Sequence, residues 1–270
     1  MADQRRLTVI IPALNEAESI TAVIERIPSD VTSVVVADNG STDRTADLAR
    51  LAGATVVHVP RRGYGRACLA GIAADPAADV FVFLDADLSE DPADMWMLVK
   101  PIDRSEADMV LGARGGDGRP WHARSGTLLC VWLINRLWGT HYEDLGPFRA
   151  VRGSSLRALD MRDQTWGWTI EMQVKAAEQH LRVLEVRVDS GPRAVGRSKI
   201  SGSLVGTARA AWRMLEILVR LRLTRGSRDF LSRCRRTSGA HRPGRDPLCS
   251  RSPGRASPRE APGSCAESPG

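Results

Sequence analysis

Two aspartates one residue apart, Asp85 and Asp87, follow directly on an unbroken apolar run, Val80 to Leu84. Carboxylates with that spacing can turn together toward a hard divalent cation that holds a diphosphate. Similar polar clusters follow two earlier apolar runs. Pro12-Ala13-Leu14-Asn15-Glu16 comes after the first, and Asp38-Asn39-Gly40-Ser41-Thr42-Asp43 after the second. Acids in such positions can accept hydrogen bonds from a nucleobase N–H or a ribose hydroxyl. The second half carries cations: Arg114, Arg124, Arg149, Arg193, Arg197 and Lys199. Arg197, Ser198 and Lys199 lie in a glycine-flanked stretch, GRSKISG, whose two cations and hydroxyl suit a phosphate. If an acceptor hydroxyl had to lose its proton, Asp144 and Glu171 are the carboxylates to consider. A phosphate acceptor needs no base, because its second pKa is about 6. Each cluster also has a bland reading. Asn15 can cap a helix, DNGSTD can be a turn, and Glu171, Lys175 and Glu178 can form a salt-bridged helix face.

These residues depend on their elements. The unalternating apolar run Val80–Leu84 predicts a strand buried on both faces, Leu7–Ile11 a first buried strand, and Ser33–Ala37, Ala54–Val59, Asp108–Leu111 and Val183–Val188 further strands. Helical periodicity predicts helices over Ile20–Ile27, Ala46–Leu51, Tyr64–Ala74, Pro92–Ile102, Leu128–Trp138, Ile170–Gln179 and Leu204–Leu223. Asp91 followed by Pro92 is a helix start. The alternation predicts βαβ units and an α/β fold, a mostly parallel central sheet flanked by helices. Parallel strands put their carboxyl ends on one edge, where ligands bind, so the three polar clusters should meet there. Gly63 and Gly65, in RRGYGRACLAG, are expected to let backbone approach the nucleotide. Cys68 stands where a dinucleotide fingerprint needs a third glycine.

The 270 residues suffice for one large domain. Of the net charge of +6, most belongs to the tail 226–270, with nine Arg against four acids. The body 1–225 is near neutral, which predicts no nucleic-acid partner. The tail itself, rich in Arg, Ser, Pro and Gly, predicts disorder. Five cysteines without a Cys-x-x-Cys pair suit a reducing cytoplasm and no zinc site. No run reaches the roughly 20 apolar residues that cross a bilayer, and no secretory signal opens the chain. On Leu204–Leu223, Arg209, Arg213, Glu216 and Arg220 share one face, and Ala211, Met214, Leu215 and Leu218 the other. Such a helix suits either a peripheral place at the inner face of the cell membrane or packing of its apolar face on the catalytic domain with the Arg face in water.

PALNEAE, ADNGSTD, FVFLDADLSEDP and GRSKISG, in that order, resemble the motifs of family 2 glycosyltransferases with the GT-A nucleotide-diphospho-sugar transferase fold. The chain is most similar to polyprenyl-phosphate (dolichyl-phosphate) mannose and glucose synthase-like enzymes, over Leu7 to Leu223. The resemblance implies an inverting transfer from a UDP- or GDP-sugar to a polyprenyl phosphate. A soluble phosphorylated or hydroxyl acceptor is the alternative. It implies nucleoside binding around Pro12, Asn15, Glu16, Asp38 and Gly65. Asp85 and Asp87 would act through Mg²⁺ or Mn²⁺ on the donor diphosphate, with Asp87 and Asp144 as the catalytic acids. Arg114, Arg124, Arg197, Ser198 and Lys199 would hold phosphates. The chain departs from the pattern at Ser89, where the mannose synthases often have Gln, and at Asn39, the second Asp of the usual Asp-Asp-Gly-Ser. Two other classes remain: a sugar-1-phosphate nucleotidyltransferase, which would need a glycine-rich basic loop after the first strand, and a non-catalytic nucleotide-sugar-binding protein, which would be expected to lose the metal acids.

Overall fold

The computed structural model describes residues 5–115, 121–191 and 216–222, with side chains of the 121–138 helix from 125 onward. The tail 226–270, the GRSKISG stretch and most of the 204–223 helix lie outside the described residues.

Seven strands form one sheet: β1 (Leu7–Ala13), β2 (Ser33–Asp38), β3 (Thr55–His58), β4 (Val80–Phe83), β5 (Met109–Arg114), β6 (Arg149–Arg152) and β7 (Val183–Val188), in the order β3-β2-β1-β4-β6-β5-β7. All run parallel except β6, which is antiparallel to both β4 and β5. The connecting helices are α1 (Ile20–Glu25), α2 (Thr45–Leu51), α3 (Tyr64–Ala74), α4 (Met95–Asp103), α5 (Trp121–Trp138), α6 (Gly153–Leu159) and α7 (Trp168–Glu178). A 3-10 turn, Pro92–Asp94, leads into α4, and the Asp91 carboxylate accepts from the Ala93 N–H at 3.0 Å, the predicted cap.

The central strands are buried on both faces, which explains the unalternating run of β4, whereas the edge strands β3 and β7 are partly exposed. Val9, Ile11, Val80 and Val82 pack on one side with α1 and α4 residues such as Ile20, Val23, Leu98 and Val99. Ile10, Phe81 and Phe83 pack on the other with Ile134 of α5 and Ile170, Met172 and Val174 of α7. Residues 216–222 are helical, and Ile217, Leu218 and Leu221 join this second core, leaving Glu216, Val219, Arg220 and Arg222 exposed. The apolar face of that part of the helix is therefore spent on the protein body, against the expectation that it lies in a membrane. A group of exposed apolar side chains sits on α5, at Leu128, Leu129 and Trp132. Among the described residues no helix is long and apolar enough to cross a membrane.

β1 runs on through Pro12 to Ala13, past the expected end at Ile11. Ile10 accepts from the Leu84 N–H and Ala13 from the Asn39 N–H, so even-numbered backbone groups here face β4. The β4 ladder stops at Ile10 paired with Phe83. Pro12, which has no N–H, thus meets no ladder position that needs one.

Candidate active site

The parallel strands bring the three polar clusters to one edge, and hydrogen bonds knit two of them together. Asn15 adopts a left-handed backbone (φ 51°), a conformation that Asn tolerates better than most residues. Its N–H donates to Ser41 Oγ at 2.9 Å, and its Oδ1 accepts from the Thr42 N–H at 2.7 Å. The Glu16 N–H donates to Thr45 Oγ1 at 2.8 Å. Asp38 is buried; its Oδ1 accepts from the Ser41 N–H, and its Oδ2 lies 3.2 Å from His58 Nδ1. Asn39, the departure from the usual second Asp, accepts from the Gly63 N–H at 2.9 Å and so clamps the start of α3.

Beyond β4 the chain turns sharply, with Leu88 also left-handed (φ 56°). Ser19 Oγ pins this turn by donating to the Ala86 carbonyl at 2.7 Å. Asp85 is half-buried, and Tyr64 Oη donates to its Oδ1 at 3.4 Å. Asp87 is 4% exposed and accepts from the Ser89 N–H at 3.0 Å. Ser89 Oγ turns to Glu90, donating to Oε2 at 2.7 Å. Glu90 is itself buried, and burial pushes its carboxyl above the usual range. Among the described residues no three His, Cys, Asp or Glu side chains are grouped as a protein-only metal cage. The donor set at this turn, two hard carboxylates, suits a cation that completes its shell with phosphate oxygens and water.

Arg114 closes β5 and forks onto Asp144: Nε to Oδ2 at 2.6 Å and Nη2 to Oδ1 at 3.0 Å. Burial pulls this guanidinium down, but Asp144, Glu90 and Asp85 raise it by more, and the net shift is upward. β5 runs in the same direction as β4, so Arg114 leaves the sheet on the edge that carries Asp85 and Asp87. Asp144 is positioned in turn: its carbonyl accepts from Gln173 Nε2 at 3.0 Å, and its Oδ1 accepts the Leu145 N–H at 2.8 Å. Arg114 and Asp144 line a cavity of about 270 Å³ with Thr127, Leu128, Glu143 and Arg187. Glu90 and Arg187 line a larger one, about 620 Å³, with Arg26, Asp91 and Asp189. The Arg124 side chain and Arg197, Ser198 and Lys199 lie outside the described residues.

Glu171 is not placed to work on a substrate. It is 1% exposed, pairs with Lys175 at 2.8 Å, and accepts the Arg162 and Asp163 N–H groups. Arg149 is also fully buried, and burial lowers its guanidinium to about 10. Its Nη groups donate to the Thr169 and Gly146 carbonyls, so it braces the turns behind Asp144.

Gly63 and Gly65 do admit a close backbone approach, and the backbone is that of the loop before α7. A Cβ on Gly65 would lie 2.1 Å from the Asp163 carbonyl oxygen, and one on Gly63 2.2 Å from that of Gln164. At both positions a side chain would collide with that loop. The Gly65 N–H donates to the Thr165 carbonyl at 3.1 Å and the Arg66 N–H to that of Gln164 at 3.2 Å. The same contact stacks Trp166 on Tyr64, with ring centroids 5.6 Å apart. Sequence reasoning passed over Tyr64, Glu90, His58 and Trp166. Glu90 alone carried a signal, as a third acid beside the Asp85–Asp87 pair.

A family model described as glycosyl transferase family 2 matches residues 8–155. An uncharacterised glycosyltransferase of Mycobacterium tuberculosis is 42% identical over 204 residues, 74% of this chain and 92% of the relative. The undecaprenyl-phosphate mannosyltransferase of Micrococcus luteus is 33% identical, over 75% of this chain and 90% of its own. Polyprenol monophosphomannose synthase of Mycolicibacterium smegmatis is 31% identical, over 82% and 90%. Among solved structures, glucosyl-3-phosphoglycerate synthase of Mycobacterium tuberculosis in complex with Mn²⁺, UDP and phosphoglyceric acid superposes with a TM-score of 0.67 at 25% identity. The match covers 81% of this chain and 78% of that one. With the acids of its motif gathered at one sheet edge, and on this family match and these relatives, the chain belongs to glycosyl transferase family 2, built on the GT-A fold.

Proposed function

We propose that this chain transfers a hexose, with inversion, from a UDP- or GDP-sugar to the phosphate of a polyprenyl phosphate, as a peripheral enzyme at the inner membrane face. The observation that carries the reading is that Arg114, a cation of the second half, ends β5 on the same sheet edge at which Asp85 and Asp87 follow β4. An anionic acceptor held at Arg114 would lie beside a donor diphosphate held at the acids. The loops carrying Pro12, Asn15, Glu16 and Asp38 would take the nucleoside. Asp85 and Asp87 would hold Mg²⁺ or Mn²⁺, which when bound neutralises charge on the departing diphosphate.

An acceptor phosphate oxygen is anionic at neutral pH, so attack on C1 requires no proton acceptor. Asp144 then serves by aiming the Arg114 fork, since both its oxygens are engaged by that guanidinium. Arg114 orients the nucleophile and offsets its charge as the two anions are brought together.

Two observations favour a lipid-linked acceptor. The relatives from Micrococcus luteus and Mycolicibacterium smegmatis are named for undecaprenyl-phosphate and polyprenol substrates. Leu128, which lines the Arg114 cavity, also opens the exposed apolar face of α5 with Leu129 and Trp132. A phosphate head at Arg114 would leave its chain on that face. One observation favours a small phosphorylated acceptor, the phosphoglyceric acid bound in the solved neighbour. Labelled UDP-glucose and GDP-mannose, offered with polyprenyl phosphate or 3-phosphoglycerate, separate the two. Label in the organic phase is expected. Label found only in a water-soluble product would establish the second acceptor.

A further inference from the structure

Trp166 is 53% exposed, yet the loop that carries it is held firmly. The buried Glu171 carboxylate accepts the Arg162 and Asp163 N–H groups and pairs with Lys175, whose Nζ donates to the Asp160 carbonyl at 2.5 Å. Buried Asp163 accepts from both the Thr165 N–H and its hydroxyl, at 2.7 and 2.9 Å. Gly63 and Gly65 let the loop sit directly on the start of α3. A buried ion pair and two crowded glycines thus fix one solvent-facing indole. One face of that indole lies on Tyr64, at an interplanar angle of 20°. Tyr64 in turn reaches Asp85 through its hydroxyl.

We propose that Trp166 is a specificity-determining residue, receiving the hexose ring of the nucleotide-sugar donor. The inference rests on the donor site described above. A pyranose presents a face of C–H groups, and the negative face of an indole attracts the positive edge of such a group. The indole is two contacts from Asp85, the acid assigned to the diphosphate, and the sugar is the group attached to that diphosphate. The base belongs near Asp38, on the far side of β1. Tyr64 backs the indole so that its plane does not tip when the sugar arrives.

The test compares Trp166→Ala, Trp166→Leu and Trp166→Phe with the parent protein, by calorimetric titration in Mn²⁺. The ligands are UDP, GDP, UDP-glucose and GDP-mannose. For the nucleotide that the parent binds, Trp166→Ala should leave the diphosphate Kd within about twofold and weaken the sugar-bearing form about tenfold, with Trp166→Phe close to the parent. Trp166→Leu keeps an apolar cover on Tyr64 without a ring face. It should behave as Ala does and remains informative if the Ala protein melts early. Equal weakening of diphosphate and sugar-diphosphate would place the indole against the nucleoside and overturn the proposal. So would no change in either. A parent protein that binds none of the four overturns the donor site itself, and this inference with it.

Discussion

Gly65→Ala separates two meanings of one glycine. The new Cβ would meet only backbone, the Asp163 carbonyl oxygen at 2.1 Å, its carbon at 2.8 Å and the Gln164 carbonyl carbon at 3.0 Å. No rotamer change relieves that, so the loop before α7 must move more than an ångström. The shift breaks the bonds from the Gly65 and Arg66 N–H groups to Thr165 and Gln164, each worth about 1 kcal/mol. Overpacking adds roughly 1–3 kcal/mol. A total of about 3–5 kcal/mol lowers the melting temperature by ~6–20 °C for a domain of this size. Trp166 should come off Tyr64 at the same time, read as a change in near-ultraviolet circular dichroism. Thermal melts with and without UDP provide the assay. A variant that melts with the parent but no longer binds UDP would refute the reasoning and return Gly65 to the nucleotide.

Two further outcomes follow from the charges. Glu90 has its folded pKa above the ordinary glutamate value of 4.5, so the neutral form is the one favoured by folding. Its contribution is thus fullest below pH 4.5 and is lost as pH rises through the folded pKa. Glu90→Gln, neutral throughout, should gain stability over the parent between pH 5 and pH 8 in urea melts; a constant difference would contradict the assignment. Arg114→Lys keeps the charge but cannot fork onto both Asp144 oxygens. It should lower kcat about 100-fold, while binding of the free nucleotide stays near that of the parent.

Most of the sheet was legible because buried parallel strands write themselves as continuous apolar runs. β6 was not, since Arg149-Ala150-Val151-Arg152 reads as polar. Arg149 is nevertheless fully buried, bonded to carbonyls of neighbouring turns, and Arg152 donates to the Ile102 carbonyl. Only the tertiary fold supplies those acceptors. Strand ends announced Asp38, Asp85 and Asp87, because topology alone puts them on one edge. Gly65 and Trp166 could not be read, because their meaning lies in contact between segments about a hundred residues apart. Asp144 and Glu171 are alike as carboxylates in sequence, and differ because one faces Arg114 beside a cavity while the other lies on the buried face of α7, paired with Lys175.

The central claim is that Asp85 and Asp87 hold a divalent cation on which donor binding depends. Calorimetric titration of UDP- and GDP-sugars into the parent protein and Asp87→Asn, with Mn²⁺ and with chelator, tests it most directly. One nucleotide-sugar is expected to bind the parent only with the metal, and Asp87→Asn to lose this binding and transfer while melting near the parent. Metal-independent binding of equal strength in both proteins would contradict it.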